Sequence, residues 1–136
     1  MKRILLDSNI LLDIALNREP FAKEAFDILT LIQKNKVKGF VSALTVSHLH
    51  YIIRKNISTE KAIEFVKDVL IVFEVAGVDK LILLDAIASD FEDFEDAIQA
   101  KSAQNISLDA IVTRDSKGFV KSEINILTPR EFLQNF

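Results

Sequence analysis

Cysteine and tryptophan are absent from this 136-residue chain, and it has only three glycines and two prolines. Without cysteine there is no disulfide framework and no thiolate metal site, so any metal chemistry must use oxygen or imidazole ligands. So little glycine and proline excludes a flexible linker or a low-complexity tract. Long apolar runs are missing too. In MKRILLD only ILL precedes Asp7, and LILL (81–84) ends at Asp85. Neither approaches the ~18 residues of a membrane helix or makes a signal peptide. The expectation is a cytoplasmic protein that touches no membrane.

What is present is ordinary for a packed domain: 49% hydrophobic and 27% charged residues, with ten phenylalanines as core filling. The length predicts one domain over 1–136. The net charge of −3 is unevenly spread. Residues 81–100 hold six acids and no Lys or Arg, leaving 14 acids against all 17 basic residues elsewhere. An acidic focus on a mildly basic body suits a divalent cation beside a polyanion, although a solvated helix start gives the same composition.

Along the chain, apolar runs alternate with helical periodicity. KRILLD (2–7), VKGFVSA (37–43), FEVAG (73–77), DAIVTRD (109–115) and INIL (124–127) read as short strands. SNILLDIAL (8–16) reads as a helix capped by Ser8 or Asn9, and a second runs from Pro20 in its first turn to Gln33. Further helices are expected at 44–55, 58–73 and 79–89 (capped by Asp79), from the acidic stretch DFEDFED (90–96) to Gln104, and at 128–136. Strand–helix alternation predicts an α/β fold: a central parallel sheet of four to five strands flanked by α-helices.

In such sheets ligands bind beyond the carboxyl ends of the strands. Asp7 ends the first strand and Asp115 follows the fourth. Asp96 shares a helix face with Ala100 and Ala103, small residues that permit close approach, so it is expected to point inward, with Asp93 on the same face. Phe91 and Phe94 are expected to anchor the helix entry. Asp90 and Glu92 are expected to face water, as is Asp13, and most basic residues, Arg114 and Lys117 included, read as solvated surface. Three converging carboxylates make a hard-oxygen site suited to Mg²⁺ or Mn²⁺. Such a site matches phosphodiester hydrolysis, but receiver domains and phosphatases also place acids at strand ends. Against an aspartyl-nucleophile phosphatase, the position two residues after Asp7 is Asn9, which cannot serve as general acid.

DSNILLDIAL at the start, DFEDAIQAKSA in the middle, and IVTRDSKGF with LTPREF near the end together resemble the PIN-domain family, in particular its bacterial toxin (VapC-type) ribonuclease branch. The resemblance covers essentially the whole chain with the motifs in order. It implies a metal-dependent ribonuclease acting on RNA, with Asp7, Asp96 and Asp115 as catalytic metal ligands. Asn9 and Thr113 would be supporting polar residues, and Asp93 and Glu95 outer groups around the metal. It further implies a cognate antitoxin and a homodimer. At the family's second acid this chain reads TVSHLHY (45–51), with His48 in place of the usual Glu. His48 can support a metal or phosphate as an imidazole ligand. The alternative is a PIN-fold module that binds RNA or protein and has weak or lost nuclease activity because of this replacement.

Overall fold

The computed structural model describes residues 1–136. Five strands, β1 (Lys2–Leu6), β2 (Val37–Ser42), β3 (Glu74–Ala76), β4 (Ala110–Val112) and β5 (Asn125–Leu127), form one sheet in the order β3-β2-β1-β4-β5. Every pairing is parallel, and β1 is central, with Ile4, Leu5 and Leu6 opposite Ala110, Ile111 and Val112. The helices are α1 (Ser8–Ala15), α2 (Ala22–Gln33), α3 (Ala43–Asn56), α4 (Thr59–Val72), α5 (Lys80–Ala88), α6 (Phe94–Asn105) and α7 (Pro129–Gln134), with a 3₁₀ turn at Ser116–Phe119. This is the α/β architecture the alternating pattern predicts.

The period-two alternation of a strand sorts the core. Ile4, Leu6, Val37, Val41, Ala110 and Val112 pack on one face, under α1 to α4 and α7. Leu5, Phe40, Ala76 and Ile111 pack on the other, against Ala100 and Ala103 of α6 and Phe119 of the 3₁₀ turn. All three residues of β1's second half are fully buried. Burying each such side chain is worth roughly 1.5–3 kcal/mol, so β1 is the anchor of both layers. The small side chains of Ala100 and Ala103 bring α6 close to the sheet, which is what carries Asp96 to the strand ends.

Helix boundaries differ from expectation in three places. Asp7, rather than Ser8 or Asn9, is the N-cap of α1. Pro20 lies before α2, in a turn with a cis Glu19–Pro20 bond, and the helix starts at Ala22. The acidic stretch is mostly outside α6: Asp93 is its N-cap, accepting from the Asp96 N–H at 2.9 Å. Asp93 therefore caps the helix rather than sharing a helical face with Asp96. Phe91 packs edge-on to Phe119 with ring centroids 6.3 Å apart, but Phe94 is 45% exposed and anchors nothing. Packed on α6 through Ile82 and Ala86, α5 leaves Leu81, Leu84 and Ile87 exposed along one side. No helix is long and apolar enough to cross a membrane.

Candidate active site

The chain runs from β1 outward through β2 to β3, then returns to the other side of β1 for β4 and β5. The strand order reverses between β1 and β4, and the crevice at that point is where open parallel sheets bind ligands. Asp7 continues the ladder one residue beyond β1, its N–H donating to the Val112 carbonyl at 3.0 Å. Beyond β4, Thr113 N–H donates to Leu127 O at 3.0 Å, so Thr113, Arg114 and Asp115 leave the sheet beside Asp7.

Asp7 is 6% exposed and its carboxylate is surrounded by donors. Oδ1 accepts from the Ser8 N–H at 2.7 Å and from Gln99 Nε2 at 3.0 Å; Oδ2 accepts from Thr113 Oγ1 at 2.8 Å and Asn9 Nδ2 at 3.3 Å. Asp7 thus caps α1 and also collects side chains from α6 and from the end of β4. Gln99, buried in the middle of α6 and accepting from Thr45 Oγ1 at 3.5 Å, escapes a sequence reading. The sequence does carry a signal for it: an amide one turn after Glu95, within a run whose other buried positions are alanine, isoleucine and Ser102.

Asp96 and Asp115 meet over Gly118. A Cβ placed on Gly118 would lie 2.5 Å from Asp96 Oδ2 and 3.2 Å from Asp115 Oδ2. The missing side chain is therefore what leaves room for two carboxylates at one spot. Burial first, and then the charges of Asp7, Asp93, Asp115 and Glu95, push the Asp96 carboxyl from 3.8 to about 7. Of these acids Asp93, Asp96 and Asp115 open onto a cavity of about 500 Å³, lined also by Asp90, Glu92, Lys117 and Lys121; Asp7 and Glu95 do not line it. Lys117, expected as plain surface, stands on its rim, and so do Asp90 and Glu92. An apolar cavity of about 340 Å³ between α1, α2 and α4 has no such convergence of polar groups.

No three Asp, Glu or His side chains stand close enough together to hold a metal ion between them. Asp96 and Asp115 converge; Asp7 stands close enough to Asp96 to raise its proton affinity but is turned toward its own five donors, the Ser8 hydroxyl at 3.4 Å being the fifth. His48 does not reach these acids. Its Nδ1 lies 2.9 Å from Glu95 Oε1, so α3 and α6 meet through two pairs, Thr45 with Gln99 and His48 with Glu95. A carboxylate is thereby held beside the position where the sequence lacks one.

Asp13 and Arg114 are placed differently from expectation. Asp13 is fully buried, not solvent-facing, because Arg18 and Arg114 both donate to it. Arg114 is consumed by that contact rather than solvated.

The class that fold and crevice define is a five-stranded parallel α/β domain with carboxylates gathered at its topological switch point. A model of the PIN domain matches residues 3–117, and the chain belongs to the PIN-domain family. Curated protein sequences contain no match to it. Among solved structures it is similar in fold to VapBC2 from Rickettsia felis bound to a promoter DNA fragment, with 18% identity, a TM-score of 0.72, and 93% of this chain and 98% of that one covered. A toxin–antitoxin complex from Klebsiella pneumoniae gives 22% identity and a TM-score of 0.70 over 93% and 97% of the two chains. The sarcin-ricin loop cleaving toxin VapC20 of Mycobacterium tuberculosis gives 12% identity and a TM-score of 0.64 over 79% and 86%.

Proposed function

We propose that this PIN domain, spanning 1–136, is a metal-dependent endoribonuclease that hydrolyses RNA phosphodiesters, as the toxin of a toxin–antitoxin pair. The observation that carries the reading is the meeting of Asp96 and Asp115 over Gly118, beside Asp7 at the switch point. The donor set suits Mg²⁺ or Mn²⁺: all oxygen, no thiolate, and the Asp96 and Asp115 carboxylates brought together over Gly118. Asp7, Asp96 and Asp115 would hold the ion, which when bound supplies a Lewis acid that activates water and offsets charge on the phosphate.

The chain's own residues do the rest. Thr113, Asn9 and Gln99 orient Asp7, and Asp93 and Glu95 add negative potential that favours a cation. Lys117 and Lys121 stand on the same cavity, where they suit phosphates flanking the scissile one. His48 acts in support by holding Glu95. The VapBC and toxin–antitoxin complexes similar in fold support a cognate antitoxin as partner. The exposed Leu81, Leu84 and Ile87 of α5 support protein contact of that kind or a homodimer.

RNA cleavage in Mn²⁺ by the wild type and by Asp7→Asn tests the reading. Loss of at least about a hundredfold in Asp7→Asn is expected, since this variant removes a ligand charge. Equal, metal-independent activity in both would sink it. The second reading, a PIN-fold module binding RNA or protein with weak nuclease activity, is favoured by one observation: position 48 offers an imidazole tied to Glu95 instead of a free carboxylate. RNA binding without cleavage at millimolar Mn²⁺ would select that reading.

A further inference from the structure

Asp13 is a charge with no exposed surface, in the middle of α1, and it does not line the acidic cavity. Its Oδ1 accepts from Arg18 Nε at 2.9 Å and from Arg114 Nη2 at 3.1 Å; its Oδ2 accepts from Arg114 Nε at 2.7 Å. The contact with Arg114 is a two-bond fork, which fixes direction as well as distance. The Arg114 guanidinium also lies 3.8 Å from the centroid of the Phe21 ring, so it is held from a second side.

From this charge a chain of hydrogen bonds runs to the site. Arg18 Nη2 donates to Asn9 O at 3.2 Å, and the Arg114 N–H donates to Asn9 Oδ1 at 3.4 Å. Asn9 Nδ2 in turn donates to Asp7 Oδ2 and to Thr113 Oγ1, both at 3.3 Å. Thr113 Oγ1 accepts the Asp115 N–H at 3.0 Å. Arg114 is thus drawn toward α1, while its neighbour Asp115 projects its carboxylate to the other side, over Gly118. An apolar side chain at position 13 would fill the space but leave the Arg18 and Arg114 guanidiniums without their shared acceptor; the carboxylate both pairs them and aims them.

We propose that Asp13 is a positioning residue: with Arg18 and Arg114 it fixes the segment 113–118 against α1 and so sets where the Asp115 carboxylate stands relative to Asp7 and Asp96. The consequence for catalysis rests on the nuclease reading; the placement of the segment does not.

Asp13→Asn keeps the shape and removes the charge, and Arg18→Met, which leaves the Arg114 fork intact, is a milder variant should the first not fold. Hydrogen exchange, Mn²⁺ calorimetry and RNA-cleavage kinetics are measured on the full chain, with Leu49→Ala, a fully buried side chain of α3, as a destabilised control. In Asp13→Asn the amides of 113–118 are expected to exchange about tenfold faster while β1 and α6 are unchanged. Mn²⁺ affinity is expected to fall about 10–100-fold, and kcat to fall with KM nearly constant. Leu49→Ala is expected to lose stability without any of these local effects. The proposal is overturned if Asp13→Asn loses stability but keeps wild-type exchange at 113–118, or if exchange rises equally in every segment. A wild type that neither binds Mn²⁺ nor cleaves RNA would defeat the nuclease reading alone, and the exchange data would still decide the role of Asp13.

Discussion

At the scale of single residues, the proton on Asp96 has a consequence for stability that can be signed. In the folded chain this carboxyl holds its proton to about pH 7, whereas in the unfolded chain it releases it near 3.8. Between those values the folded state binds more protons, so this group's contribution falls as pH rises, and the loss is complete above pH 7. Asp96→Asn cannot ionise and escapes that loss. In the presence of EDTA it is expected to be more stable than the wild type, least so near pH 4, with the advantage growing up to about pH 7 and then levelling off. Thermal unfolding of both proteins across that range measures it, and a pH-independent difference would show that burial and the neighbouring acids do not raise the Asp96 carboxyl. The same variant should be the worse nuclease, which is the usual opposition between stability and a crowded functional site.

At the scale of elements, the 3₁₀ turn Ser116–Phe119 does for the site what α6 does from the other side. Phe119 roots it in the core at 1% exposure, and Gly118 then faces the two carboxylates with nothing between. Gly118→Ala puts a methyl group where Asp96 and Asp115 converge. Because the displaced atoms are side-chain ends on a solvent-facing cavity, the expected change in stability is within about 1 kcal/mol. Mn²⁺ affinity is expected to fall about tenfold or more as the carboxylates are pushed apart. Unchanged affinity by calorimetry would mean that Gly118 is not part of the cradle. Elements also show where a sequence can be read. An apolar run ending in acid is local information, and it located Asp7 and Asp115; the alanine spacing behind Asp96 did the same. Asp13 reads as solvent-facing because it lies one helical turn after Asn9, and the charge that buries it, Arg114, is 101 residues away. Only the β1–β4 pairing brings the two together. The start of α6 was misplaced for a related reason: a helical reading of DFEDFED ignores that Asp93 can gain more as a cap, with its oxygen on the Asp96 N–H, than as one more acid on a crowded face.

At the scale of the molecule, four of the six acids within 81–100 (Asp90, Glu92, Asp93 and Asp96) join Asp115 around one cavity, so the fold concentrates repulsion there on a body with an excess of basic residues. A ligand that binds the native crevice and not the unfolded chain returns its binding free energy as stability. At a hundredfold excess over Kd this is about 2.7 kcal/mol. For a chain of this size each kcal/mol raises Tm by roughly 2–4 °C, so saturating Mn²⁺ is expected to raise Tm by roughly 5–10 °C over EDTA. Because the ion must displace the proton on Asp96, the increment should be larger above pH 7 than near pH 5, and a proton should be released on binding at pH 6. Asp7→Asn should lose most of the increment at every pH, since it removes one carboxylate charge and one of the two acceptor oxygens that its neighbours use. An identical Tm in millimolar Mn²⁺ and in EDTA at pH 8 would contradict a native metal site. It would leave the crowded acids to be explained as a surface awaiting a cationic partner, which the basic side chains of an antitoxin or of another protein could satisfy.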